Sequence, residues 1–398
     1  MTRDPLLRFR EEFPILSTTN YQVSNSLGAM PREVPGRLAE YANEWATRGV
    51  RAWAEGWWDM PVAVGDEIAP LIGAGKGEVA MVANVSIGQA QIFSALDYTE
   101  DGRDTIVMTE LDFPSVRYVY DALATRLGAR VVVVPSDDGI GINHDRLLAA
   151  IDERTRLVAI SHVLFRSAYI MDAARICAHA HLMGALVSLD AYHSVGIVPV
   201  DVRTLDADFL TGGVLKWLCG GPGGSFLWVK PEVSARFAPS LTGWQAHEHP
   251  FSFESEMAYA SGAWRWLSGT PAIPALFAAQ AGPRIIREAG LPAIRAKSVR
   301  QTSRLIDLAD ARGFAVTAPR DPDRRGGTVA FDVPHAREVA QALLARDVIV
   351  DYRPGAGIRV APHFYTSDDE VEQVVASIDD ILARESWKRY TDRTLVVT

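Results

Sequence analysis

Between about residue 60 and residue 230, short apolar runs alternate with segments whose apolar residues recur at helical spacing, and this alternation restricts the fold most. Runs at 105–108, 130–134, 157–160, 185–189, 207–210 and 226–229 read as strands. Amphipathic helices are expected near 114–127, 144–152 and 170–183. Strands separated by helices run parallel, because the crossover returns the chain to the same edge of the sheet. The pattern therefore predicts an α/β fold with a mainly parallel, doubly wound sheet.

After Ser268-Gly-Thr-Pro271 the pattern changes to two long helical segments. A strand at 327–331, a helix, strands at 348–351 and 358–361 and a final helix follow, which read as a smaller α+β domain. The expected division is a segment 1–45 covering the active site or the small domain, a large domain 46–270 and a small domain 271–398. Internal repeats and low-complexity stretches are not evident in the sequence.

The chemistry is concentrated near the end of the large domain. Asp190 closes the apolar run at 185–189, His193 follows three residues later, and Lys216 stands after the next run with Gly220, Gly221, Pro222, Gly223 and Gly224 behind it. In open α/β sheets, ligands bind at the carboxyl ends of the strands, so an acid and a lysine placed there face the same site. A desolvated lysine amine can form a Schiff base with an aldehyde and later carry a proton. A carboxylate opposite a pyridine nitrogen keeps that ring protonated and electron-withdrawing. Together these residues predict a buried pyridoxal phosphate. Each alone is weak, since a strand-end acid is usually a turn or helix cap and a lone lysine is usually solvated.

Composition narrows the partners. The chain has 398 residues and a formal net charge of −9, which gives no support to a nucleic-acid or anionic-membrane partner. Cys177 and Cys219 are its two cysteines, so neither a disulfide framework nor a zinc site is indicated, and a cytoplasmic setting fits. The amino terminus lacks a signal-peptide core, and no apolar run approaches membrane-spanning length. No metal site is expected: His247 and His249 flank Glu248 in a loop, a spacing with little meaning for a ligand set. A Rossmann oxidoreductase is disfavoured because the glycine cluster precedes a strand, whereas a dinucleotide fingerprint opens a helix.

With these residues assembled, the sequence resembles the kynureninase branch of the class V aminotransferase family, within the fold-type I pyridoxal-phosphate enzymes. The likeness runs over nearly the whole chain. It includes Asn25-Ser-Leu-Gly28, Gly56-Trp-Trp-Asp-Met-Pro61, Phe113-Pro-Ser115, Ser161-His-Val163, Asp190-Ala-Tyr-His193, Lys216 with its glycines, Gly243-Trp244 and Gly269-Thr-Pro271. The resemblance implies that Lys216 carries the cofactor, Asp190 pairs with its ring nitrogen and Phe113 stacks on the ring. His193 and Ser161 would be further cofactor contacts, and Ala83 and Asn84 would hold the phosphate at the start of a helix. Arg359 would grip the substrate α-carboxylate by a bidentate contact, and Trp244 would line the substrate pocket, reaching across a homodimer interface.

Three positions depart from the family. Leu215 stands where kynureninases have Tyr, Val116 where they have Asp, and Asn84 where Thr is common. The missing Tyr hydroxyl would have bound phosphate and aided proton movement. The expected activity is therefore side-chain cleavage of a β-substituted α-amino acid other than kynurenine, after Lys216 removes the Cα proton. Transamination, C–S β-cleavage of the desulfurase type and decarboxylation share the early steps. A catalytically silent binding homologue is the reading from another class, and retention of Lys216, Asp190 and His193 argues against it.

Overall fold

The computed structural model describes residues 4–391. The first strand, β1 (Asn20–Tyr21), is followed by the helices α1 (Val34–Arg48) and α2 (Met60–Ile68). A seven-stranded sheet comes next: β2 (Val79–Val82), β3 (Thr105–Thr109), β4 (Arg130–Val134), β5 (Thr155–Ser161), β6 (Leu186–Asp190), β7 (Phe209–Gly213) and β8 (Ser225–Val229). Its spatial order is β2-β8-β7-β6-β5-β3-β4. Every pairing from β7 to β4 is parallel, and β8 runs antiparallel to both β7 and β2.

The apolar runs look uniform in sequence because helices cover both faces. Val107, Val158, Val187, Leu189 and Leu210 feed one core, whereas Ile106, Met108, Leu157, Ala159 and Phe209 feed the other. Side chains alternate faces along a strand, so a strand buried on both sides shows no polar alternation. On the second face lie α3 (Val85–Ser94) and α4 (Pro114–Ala124), through Ile92, Phe93, Val116 and Tyr120. The helix Ala173–Leu182 covers the first face through Ile176, Cys177 and Ala180.

The strand between residues 79 and 82 was not foreseen, whereas the helix start after Asn84 was implied by the resemblance. Four residues give no period to read, and β2 gains its partner only through β8, far along the chain. The expected run at 207–210 begins two residues early, because Asp208 is used as an acceptor for the Val187 N–H at 2.8 Å.

The carboxyl-terminal half carries the expected α+β pattern. Helices Ile273–Ala279, Ala281–Ala289 and Leu291–Asp310 replace the two expected segments, the last break falling at Gly290 with φ +86°. Next come β9 (Ala315–Val316), β10 (Val329–Asp332), β11 (Val348–Ile349), β12 (Asp351–Arg353) and β13 (Gly357–Val360). The order β12-β13-β10-β9 makes an antiparallel sheet, packed by helices Ala336–Leu344 and Asp368–Ala383 through Val339, Leu343, Val374 and Ile378. Ile273, Leu276, Phe277, Ile285 and Ile286 pack instead into a core of the large sheet.

The amino-terminal segment joins the two halves. β1 pairs in parallel with β11, Val23 bridges Ala361, and the Gly28 N–H donates to the Leu215 carbonyl at 2.8 Å. A Cβ on Gly28 would lie 2.1 Å from the Lys216 carbonyl oxygen, so only glycine fits there. Among the described residues no helix is long and apolar enough to cross a membrane.

Candidate active site

The residues singled out in the sequence gather at the carboxyl edge of the large sheet. Asp190 ends β6 beside Ser161, its register partner at the end of β5. Lys216 follows the end of β7 by three residues. Its loop closes through Cys219 N–H to the Lys216 carbonyl at 3.0 Å and Gly220 N–H to the Val214 carbonyl at 2.7 Å. Gly221 and Gly223 take φ of +75° and +93°, so glycines carry the path predicted for them.

The Lys216 amine lies 2.6 Å from His193 Nε2. Two rings flank it, with centroids at 5.4 Å for Phe113 and 5.0 Å for Tyr192. Loss of water pushes the Lys216 amine down to about 7, against the pull of Asp190 and with the push of Arg359. Burial likewise drives Asp190 upward, opposed by the Tyr192 N–H and by Lys216. His193 is held well below its ordinary value, first by burial and then by the Lys216 charge, and so stays neutral.

Asp190 accepts the Tyr192 N–H at 2.9 Å through one oxygen, and among the described residues its other oxygen has no hydrogen-bond partner. A buried carboxylate with an open oxygen and a raised pKa calls for a cationic N–H. A protonated pyridine supplies one, so the residues fit pyridoxal phosphate. Phe113 opens α4 and meets Phe165 edge-on at 5.3 Å. Beneath it, the Asp112 carboxylate accepts the Ser161 N–H at 2.6 Å and the Thr109 N–H at 2.7 Å, tying the ends of β5 and β3.

Ala83 and Asn84 are exposed at the start of α3, where the Asn84 side chain caps the helix by accepting the Ile87 N–H at 3.0 Å. Their link to Lys216 runs through register: Gly213 pairs with Ser225, and Ser225 with Val82.

Other expectations are revised. Arg359 faces Asp351 across β13 and β12, forms an ion pair with it, and donates to the Phe165 carbonyl at 2.5 Å. Two of its guanidinium nitrogens are therefore engaged, whereas its buried Nε has no partner among the described residues. Trp244 is 39% exposed and packs on Trp58 at 4.9 Å and on the exposed Phe253 at 6.1 Å. Val116 is buried among the apolar side chains of α3 and α4 instead of facing the site.

Sequence reasoning passed over Tyr192, which was quoted only inside a motif, and Ser225, whose hydroxyl lies 3.1 Å from the Tyr192 hydroxyl. It quoted Asn25 in a motif but gave it no role, although its amide nitrogen and oxygen are both buried without a partner among the described residues. Asp351 gave no signal, since its partner Arg359 is found only by folding β12 onto β13. Among the described residues no cluster of metal-binding side chains occurs.

An amine and a carboxylate at the carboxyl edge of a doubly wound sheet, with a helix start two strands away, define an α/β enzyme architecture of the aminotransferase type. The comparisons agree: the model of the aminotransferase class-V family matches residues 25–374, and the chain belongs to that family. It is 33% identical over 401 residues to a kynureninase of Burkholderia pseudomallei, covering 97% of this chain and 94% of that one. A kynureninase of Pseudomonas fluorescens is 33% identical over 399 residues with the same coverage. Among solved structures, an apo cysteine desulfurase from Thermococcus onnurineus NA1 aligns with a TM-score of 0.84 at 23% identity over 96% of this chain and 99% of that one. C-DES, solved as a Lys-to-Ala mutant with glycine linked to its pyridoxal-phosphate cofactor, aligns with a TM-score of 0.85 at 20% identity over 93% and 99%.

Proposed function

We propose that this chain is a pyridoxal-phosphate-dependent enzyme that cleaves the side chain of a β-substituted α-amino acid, kynureninase-like in mechanism but with a substrate other than kynurenine. The observation that carries the reading is the desolvated Lys216 amine, 2.6 Å from a neutral His193 and facing a buried Asp190 with an open oxygen.

Lys216 would hold the cofactor through its aldehyde, and Asp190 would face the ring nitrogen. Phe113 would lie against the ring, with Ser161 and His193 beside it. Ala83 and Asn84 open α3, whose free N–H groups suit the phosphate. When bound, the cofactor supplies an electron sink at the substrate Cα. Lys216, unprotonated in large part at neutral pH, takes the Cα proton, and His193 holds the amine in place by accepting its hydrogen. Asn25 and Arg359 would receive the substrate, with Asp351 keeping the Arg359 fork oriented.

Leu215 supports a substrate other than kynurenine, because it sets an apolar side chain where kynureninases carry a hydroxyl next to the lysine. One lost buried hydrogen bond costs about 1–3 kcal/mol, or roughly one to two powers of ten in rate. Steady-state assays of a panel of β-substituted amino acids against kynurenine and 3-hydroxykynurenine test this. Another amino acid should be preferred; kynurenine turnover at a kcat/KM of about 10⁴ M⁻¹s⁻¹ or more would overturn the substrate reading.

The working form in this reading is a cytoplasmic homodimer. Trp244, Phe251, Phe253 and Met257 leave apolar surface exposed around the loop at 247–250, which supports an interface there. Both cysteines are buried and unpaired, which suits a reducing compartment. Light scattering on the active protein should give twice the chain mass, and an active monomer would refute the dimer.

A further inference from the structure

We infer that Tyr192 supplies the hydroxyl that holds the phosphate group of the cofactor, in place of the tyrosine that Leu215 lacks, and that Ser225 orients it. The inference rests on the pyridoxal-phosphate reading above and concerns residues that the family pattern does not assign.

The placement follows from strand register. Thr211 and Gly213 lie two apart on β7, so their side-chain directions point to the same face of the sheet. That face is the one under α3: a Cβ on Gly88 would touch Thr211 at 3.4 Å and Val82 at 3.5 Å, and Gln89 donates to the Thr211 hydroxyl at 2.8 Å. Ser225 is the direct partner of Gly213 and of Val82, and direct partners share a face. Ser225, the Gly213 site and Val82 therefore sit on the α3 face, one pleat closer to the carboxyl edge than Thr211. The first turn of α3 begins there, immediately after Ala83 and Asn84.

Tyr192 fills this position. A Cβ on Gly213 would lie 1.9 Å from the Tyr192 ring carbon bearing the hydroxyl, so the second glycine of Thr211-Gly-Gly213 is what makes room for the ring. The hydroxyl rests 3.1 Å from Ser225 Oγ. The same ring stands 5.0 Å from the Lys216 amine, so one side chain spans the distance from the amine to the helix start. Tyr192 is partly exposed, while Ser225 is buried. Burial also keeps the phenol protonated, hence a donor, at neutral pH. Ser225 can give its hydrogen to the phenol oxygen, leaving the phenol hydrogen free to point at an anion. A hydroxyl donating to a dianion makes a charge-assisted bond, stronger than a neutral one.

Leu215 then loses its penalty for cofactor retention, although not for the substrate. The hydroxyl arrives from the β6 loop instead of from the residue before the lysine.

The test compares the binding of pyridoxal phosphate and of pyridoxal, which lacks the phosphate, to apo protein by absorbance titration. Wild type should prefer the phosphorylated form strongly. Tyr192→Phe keeps the ring over Gly213 and should lower that preference roughly 10- to 100-fold while leaving pyridoxal affinity unchanged, as expected for one hydrogen bond to a charged group. Ser225→Ala should lower it less, and the phosphorus-31 resonance of the bound cofactor should move in both variants. An unchanged preference in Tyr192→Phe, or an equal loss for both ligands, would overturn the assignment. Failure of wild type to bind either ligand would instead overturn the cofactor reading on which it rests.

Discussion

Lys216 Nζ and His193 Nε2 stand 2.6 Å apart, and because burial keeps His193 neutral, its ring nitrogen can accept the hydrogen that the amine presents. That arrangement fixes a nucleophile without neutralising it. An ion pair in the same place would have held the amine protonated.

The first expectation is a pH profile for that amine. Since loss of water pushes Lys216 down to about 7, the unprotonated form gains population through neutral pH, not near the ordinary lysine value of about 10. The rate at which apo protein captures a pyridoxal aldehyde should rise with a midpoint near 7. A midpoint above about 9, close to an unperturbed lysine, would show that the amine is solvated.

A second expectation concerns Asp190. Folding raises its pKa to about 6, above the unfolded carboxyl value, so its favourable contribution is complete below about pH 4 and is lost as pH rises through 6. The ionised carboxylate therefore opposes folding of the apo protein at pH 7. Asp190→Asn should stabilise the apo form by roughly 1–3 kcal/mol at pH 7 while weakening cofactor retention. Thermal melts with and without cofactor should move in opposite directions, and a fall in both would contradict the account.

Asp351 balances two cations. It pairs with Arg359 and, at 2.8 Å, with Arg353, and its side chain is fully buried. Asp351→Ala leaves the buried Arg359 charge uncompensated and should cost about 3–5 kcal/mol of stability. Asp351→Asn, which keeps a hydrogen-bond acceptor, should lose less and raise KM more than it lowers kcat. Equal losses for the two variants in urea melts would argue that the acceptor oxygen contributes nothing and that the lost charge alone sets the cost.

Val116 was expected near the cofactor from its place three residues after Phe113. Helical positions three apart share a side of the helix only roughly, and here Phe113 stands at the helix start while Val116 is turned into the core of α3 and α4. Restoring the family's acid with Val116→Asp should therefore destabilise the protein by several kcal/mol and improve no activity. A soluble variant with unchanged melting temperature would place the side chain in water instead.

These cases show where sequence reasoning reached and where it stopped. Asp190, His193 and Lys216 were legible because strand-edge position and short spacing are local properties, and so was the parallel sheet, whose strands each carry their own apolar run. The Asp351 and Arg359 pair, and Tyr192 with Ser225, depend on register between separate strands, which no local pattern records. β2 was missed for the same reason, as its four residues acquire meaning only against β8. Arg359 was read as a free fork because its counter-charge lies on the neighbouring strand.

The measurement that bears most directly on the central claim is borohydride reduction of the protein saturated with pyridoxal phosphate, followed by peptide mass mapping. One phosphopyridoxyl group should appear per chain, on the peptide carrying Lys216, and Lys216→Ala should carry none. A modification on any other lysine, or a wild-type protein left unmodified, would contradict the assignment of this site.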